Sequence, residues 1–198
     1  MVFSAGFMWF ITLSFINMRM FLAINFEESE NAVIAENKEI LKEISVKGKF
    51  IRDENVHLTL AFFGEIPSER IEIIINVMND LPCGGAFSIN FSEAGVFGKR
   101  GGDIWWIGIE KSEELLRLQN SLTEAFRKEG FFLEKRPFSP HITLGREIVL
   151  KEGLGMNEFQ KKRKIFSAQV KRISLMKSER LDGKLTYTEI SGKNLFIK

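Results

Sequence analysis

Residues 54–64 read Glu54-Asn55-Val56-His57-Leu58-Thr59-Leu60-Ala61-Phe62-Phe63-Gly64, and residues 136–146 read Arg136-Pro137-Phe138-Ser139-Pro140-His141-Ile142-Thr143-Leu144-Gly145-Arg146. The chain has 198 residues and two histidines, and each histidine is followed by Thr two places on and Leu three places on. At ordinary residue frequencies one such match has odds of roughly one in two hundred, and two together about one in tens of thousands. Both stretches are apolar and partly aromatic, the composition of a strand. Alternate residues of a strand face the same side, roughly 6.6 to 6.8 Å apart. His57 then shares a face with Thr59, and His141 with Thr143. Leu58, Leu60, Ile142 and Leu144 take the other face, where helices can cover them.

Two imidazoles and two hydroxyls converging on one small volume suit a phosphate group. A hydroxyl donates to a non-bridging oxygen, and an imidazole moves a proton near neutral pH. A lone histidine in an apolar strand is ordinarily a satisfied core or surface residue, and either one alone would be read that way. The repeated pattern argues for a pair. Two histidines without a nearby carboxylate cluster are too few for a three-ligand catalytic zinc, so neither metal nor cofactor is expected.

Upstream of these motifs, Met20 to Asn25 reads as a strand. Glu28 to Val46 follows as a helix on Val33, Ile34, Ile40, Leu41 and Ile44. Pro67-Ser68-Glu69 opens a second helix through Met78. Phe87 to Phe97 and Asp103 to Glu110 form a hairpin about Gly98 to Gly102. Ser112 to Glu129 is a third helix, closed by Gly130. After His141 to Leu144 comes a polar loop, then strands near Ile165 to Met176 and Leu185 to Ile197. Strand, helix and histidine strand thus occur twice, which predicts two related lobes facing a shared cleft.

Hydrophobic residues make up 44% and charged residues 27% of the chain, which excludes fibrous and disordered classes. The single Cys83 forms no internal disulfide and has no neighbouring histidine to activate it, so it reads as a loop or buried thiol in a reducing, cytoplasmic setting. Residues 151–198 hold 12 Lys/Arg against 5 Asp/Glu, and the remainder 16 against 21. That asymmetry offers a basic surface to a phosphate backbone, although the tightest cluster, Lys161 to Lys164, equally suits a solvated loop. Residues 1–17 are apolar and uncharged, lack a basic leader and fall short of the roughly 20 residues of a membrane span. They read as an extension from a misassigned start, with a hydrophobic anchor as the alternative, before one bilobal domain over 18–198. No membrane association is expected, and a monomer is.

At these motifs the chain resembles the 2H phosphoesterase superfamily and, within it, the RNA 2',3'-cyclic phosphodiesterases once described as 2'-5' RNA ligases. Met18-Arg-Met-Phe-Leu-Ala-Ile24 is similar to that family's opening strand, with weaker likeness at Gly95 to Phe97, Trp105-Trp106, Leu175 to Arg180 and Tyr187. The resemblance implies an α+β fold of two pseudo-symmetric lobes, with antiparallel sheets flanked by helices around a central groove. It implies hydrolysis of an RNA 2',3'-cyclic phosphate end to a 2'-phosphate end, with ligation as the reverse. His57 would be the proton donor and His141 the proton acceptor. Thr59 and Thr143 would bind the phosphate, with Arg146 adding charge nearby, although its place after Gly145 leaves its direction open. Small cyclic nucleotides or an ADP-ribose cyclic phosphate remain rival substrates, and a non-catalytic RNA-end binding module remains a rival function. Of Phe62, Phe63, Trp105 and Trp106, at least half should face inward.

Overall fold

A computed structural model of the chain describes residues 16–82 and 84–195. The readings of Cys83 and of nearly all of the 1–17 extension therefore lie outside the described residues. The elements run β1 (Asn17–Asn25), α1 (Glu28–Glu43), β2 (Ser45–Phe50), β3 (His57–Pro67), α2 (Ile71–Asp80), β4 (Phe87–Phe97), β5 (Asp103–Ile109), α3 (Glu113–Lys128), β6 (His141–Leu150), α4 (Met156–Lys162), β7 (Ser167–Val170), β8 (Arg172–Leu181) and β9 (Lys184–Asn194).

These elements build two antiparallel sheets, a four-stranded one in the order β3-β1-β8-β9 and a five-stranded one in the order β2-β6-β5-β4-β7. One histidine strand lies in each. The fold is the expected α+β arrangement of two antiparallel sheets flanked by helices. The helices cross over between them. Helix α1 leaves the four-stranded sheet and packs on β2, β6 and α4, whereas α3 leaves the five-stranded sheet and packs on β3 and α2. Leu58, Leu60, Ile142 and Leu144 all join one apolar core cluster that runs behind both sheets. Burying each such side chain is worth about 1.5–3 kcal/mol, so the faces that carry the histidines are fixed by what lies on their backs.

Local chemistry explains the boundaries. Ser112 caps α3 by accepting from the Leu115 amide at 3.2 Å, and Gly130 follows the helix at a φ of 74°. The helix expected to reach Val46 stops at Glu43 instead. Ser45 Oγ donates to the Leu41 carbonyl at 2.6 Å, and the chain then turns into β2. The expected polar loop after β6 contains α4, a short helix anchored by the fully buried Phe159. Among the described residues no helix is long and apolar enough to cross a membrane.

Candidate active site

Each histidine is held in the same way. His57 Nδ1 lies 2.8 Å from the Asn55 carbonyl, and His141 Nδ1 lies 2.7 Å from the Ser139 carbonyl, in both cases two residues upstream. Only N–H can donate to a carbonyl, so the neutral ring of each carries its proton on Nδ1 and leaves Nε2 for chemistry. His57 Nε2 is 3.0 Å from Thr59 Oγ1, so the threonine shares the histidine's face as alternation predicts. Thr143 stands opposite Trp106 in the β5–β6 register, half-buried like His141.

The carbonyl that orients His57 belongs to a short 3-10 turn, Asp53–Asn55. Two ties fix that turn. The buried Lys38 donates from Nζ to the Ile51 carbonyl at 2.9 Å and to Asp53 Oδ1. The Asn55 side chain donates to the Leu185 carbonyl on β9 at 2.9 Å.

Aromatic rings wall both imidazoles. Phe21 lies 4.8 Å and Tyr187 5.2 Å from His57, centroid to centroid, while Phe97 lies 5.4 Å and Trp106 5.7 Å from His141. Phe63 and Trp105 are buried in the core, as half of the four named aromatics were expected to be. Trp106 instead lies over Gly95, where an added Cβ would meet its indole Cε2 at 2.8 Å. All four rings fall in segments that carry the family resemblance, but sequence reasoning gave none of them a place beside a histidine. The chain's one tyrosine, Tyr187, was the available signal.

The direction of Arg146 follows from a bulge. Counted from His141 by simple alternation, residue 146 would join Ile142 and Leu144 on the core face. In the ladder Trp106 faces Thr143 but Trp105 faces Gly145, so β6 carries one extra residue. Leu144 and Gly145 both take the core side, where a Cβ on Gly145 would come 2.8 Å from Ile148 Cδ1. Arg146 is thereby returned to the face of His141. The same device stands in β3. Thr59 faces Ala23 but Ala61 faces Leu22, so Leu60 is extra and Phe62 returns to the face of His57, opposite Phe21. Phe62 is 39% exposed, with the Arg19 guanidinium 4.9 Å above its ring.

Burial draws both imidazoles below their ordinary range, partly offset by their carbonyl partners. Positive charge adds to the lowering, from His141 and Arg146 at His57 and from Arg136 and Arg146 at His141. With β3 packed against β6 and the bulges setting their faces, the two histidines and Arg146 share the groove between the sheets. Arg136, in the segment before β6, pairs with Glu134 at 2.6 Å and was not singled out from sequence. The Lys161 to Lys164 cluster belongs to the helix layer behind the sheet, since α4 packs through Phe159 on Trp105. Among the described residues no group of three or more His, Cys, Asp or Glu is placed to hold a metal ion.

This arrangement has counterparts. A solved structure described as a phosphoesterase superposes with a TM-score of 0.74 at 25% identity, covering 91% of this chain and 99% of that one. A protein of Methanothermobacter thermautotrophicus named RNA 2',3'-cyclic phosphodiesterase is 37% identical over 131 residues, 65% of this chain and 71% of the relative. One of the same name from Archaeoglobus fulgidus is 37% identical over 132 residues, 65% and 72%. A family model described as the 2'-5' RNA ligase superfamily matches residues 31–182, a span that includes both histidine motifs and Arg146. With the repeated strands, the fold and these relatives in agreement, the chain belongs to the 2'-5' RNA ligase superfamily of two-histidine phosphoesterases.

Proposed function

We propose that this chain hydrolyses RNA 2',3'-cyclic phosphate ends to 2'-phosphate ends without a metal ion, with His57 as proton donor and His141 as proton acceptor. Cyclic phosphodiesterase activity is the function that its relatives' names carry. The observation that carries the mechanism is the matched tethering of the two rings, each with Nδ1 on a carbonyl, which leaves Nε2 as the nitrogen turned to the groove, in contact with Thr59 Oγ1 in the case of His57.

In this reading His141 Nε2 takes a proton from water as the water oxygen bonds to phosphorus. The bond from phosphorus to the 3'-oxygen breaks, and His57 Nε2 delivers its proton to that oxygen. The product is a 2'-phosphate beside a free 3'-hydroxyl. The histidines finish with their protonation exchanged and reset through solvent. Thr59 and Thr143 donate to the non-bridging oxygens, and Arg146 offsets their charge. Ligation would follow the same path with an RNA 5'-hydroxyl in place of water: His141 takes its proton, its oxygen bonds to phosphorus, and the 3'-oxygen leaves with the proton from His57. The assignment of donor and acceptor rests on the family resemblance, since the two tethers are alike. Residues 18–198 act in this reading as one bilobal unit, a view supported by the core cluster that both sheets share, and the proposal takes that unit to be a cytoplasmic monomer.

The test is release of 2'-phosphate from a short oligonucleotide ending in a 2',3'-cyclic phosphate, in the presence of chelator. Turnover that survives chelator and falls by about a hundred- to ten-thousandfold in both His57→Ala and His141→Ala supports the reading. Binding of that end without turnover by the parent refutes it and turns attention to small cyclic nucleotides or a binding module.

A further inference from the structure

The edge strand β2 has two unlike faces. Inward, a Cβ on Gly48 would collide with Ile148 Cδ1 of the core and meet Phe50 Cε2 at 3.2 Å. Lys47 and Lys49 alternate with Gly48 and therefore stand on the opposite face, both exposed. That face is the groove side. Lys49 is paired in register with Arg146 and Phe50 with Gly145, so Lys49 and Arg146 are cross-strand neighbours on one surface. Such neighbours have Cβ atoms roughly 4.5–5.5 Å apart, and Lys47 lies about 6.6–6.8 Å further along the strand. Lys49 Nζ lies 2.6 Å from the carboxylate of Glu147, a residue in a left-handed conformation at a φ of 55°. Both lysines hold that carboxyl below its usual range. One carboxylate against Lys47, Lys49 and Arg146 leaves this edge cationic. The turn that carries Lys99 and Arg100 adjoins it, because Gly102 seats against the Glu147 backbone.

We infer that Lys47 and Lys49 continue the Arg146 site outward as a ledge for the sugar-phosphate backbone of single-stranded RNA upstream of its reacting 3' end. A mononucleotide cyclic phosphate fills the groove but leaves the ledge empty, whereas an oligonucleotide brings further phosphates past Arg146 to Lys49 and then Lys47. The ledge makes the preferred substrate an RNA end rather than a small cyclic nucleotide. It rests on the proposed function for the reacting group but not for the binding of the chain behind it. Neither lysine takes part in the chemistry.

The experiment compares the parent, a Lys47→Gln/Lys49→Gln variant and a Lys161→Gln/Lys162→Gln control on two substrates, a mononucleotide 2',3'-cyclic phosphate and a short oligonucleotide with the same end. The ledge predicts that the ledge variant loses kcat/KM for the oligonucleotide alone. Its log-log dependence on salt flattens by about 0.7 for each lysine removed. The control, altered behind the sheet, keeps the parent's values. Equal losses on both substrates, or an unchanged oligonucleotide salt slope, overturn the inference. Binding of a fluorescent oligonucleotide with a 2'-phosphate end reads the same slope without catalysis. Should the parent hydrolyse neither substrate, the proposed function falls, and that binding slope alone decides the ledge: a smaller slope in the variant upholds it, and an equal one ends it.

Discussion

Gly95→Ala tests whether the Trp106 indole controls the state of His141. An added Cβ would fall well inside contact distance of Cζ2 and Cη2 and at 2.8 Å from Cε2. A fused bicyclic ring has no flexible end with which to yield, so it must tilt off β4. Overpacking of this kind costs about 1–3 kcal/mol. At about 2–4 °C per kcal/mol for a domain of this size, Tm should fall by about 2–12 °C. The tilt also opens the wall on which His141 rests at 5.7 Å. Burial is the largest cause of the lowered His141 pKa, so wetting the ring should raise it toward the ordinary imidazole value of about 6.5. His57 keeps its own wall of Phe21 and Tyr187 on the other sheet, so any shift there should be downward, through the greater positive charge on His141. With two histidines in the chain, NMR titration of the ring protons resolves both. A folded variant in which His141 is unmoved, or in which both histidines shift alike, would refute the assignment of that wall.

Three further outcomes are expected. The bell in kcat/KM, which reports the free enzyme, should centre below about pH 6.5 because both histidines are lowered. The bell in kcat should lie higher, since an anionic phosphate between the rings favours their charged forms; coincident bells in a full pH-rate series would contradict this. Stability should fall as pH drops from about 6.5 toward the lowered folded values, because the unfolded chain then binds more protons than the native one. Denaturant titrations of the parent and a His57→Gln/His141→Gln variant should differ in that window, and parallel curves through it would count against the lowered values. Leu144→Ala, which empties a fully buried core position, should cost about 2–5 kcal/mol in chemical denaturation, and a loss below about 1 kcal/mol would mean that the back of β6 does not fix the His141 face.

What could be read from the chain follows how each residue is used. His57 with Thr59 and His141 with Thr143 were legible because strand alternation alone puts each pair on one face. Strand β4 matched its expected bounds, Phe87 to Phe97, because turn-forming residues flank it. Strand β2 escaped notice because its outward positions are lysines and one inward position is Gly48, leaving no apolar alternation to detect. Helix α4 was hidden because one side chain, Phe159, supplies its buried anchor. The bulges were invisible, since a one-residue insertion relative to a neighbouring strand leaves no mark on its own strand. That is why the direction of Arg146 could not be derived from its spacing. The rings around the histidines come from β1, β4, β5 and β9, and only the folded chain brings them to β3 and β6.

The matched bulges have a consequence for the electrical shape of the groove. A pair of identical imidazoles, tethered identically, has no front or back. In both strands the extra residue brings the fifth position after the histidine to the groove, and there the halves part company: Phe62 on one side, Arg146 on the other. At the level of backbone the two halves correspond, and at that one position their charges part: Arg146 is a pole of its own, whereas the Arg19 guanidinium over the Phe62 ring is shared with Glu65 at 3.8 Å. An incoming anion therefore meets a gradient across a site whose proton-handling groups are otherwise interchangeable. Exchanging the two side chains, Phe62→Arg with Arg146→Phe, would turn the poles around while leaving both histidines where they are.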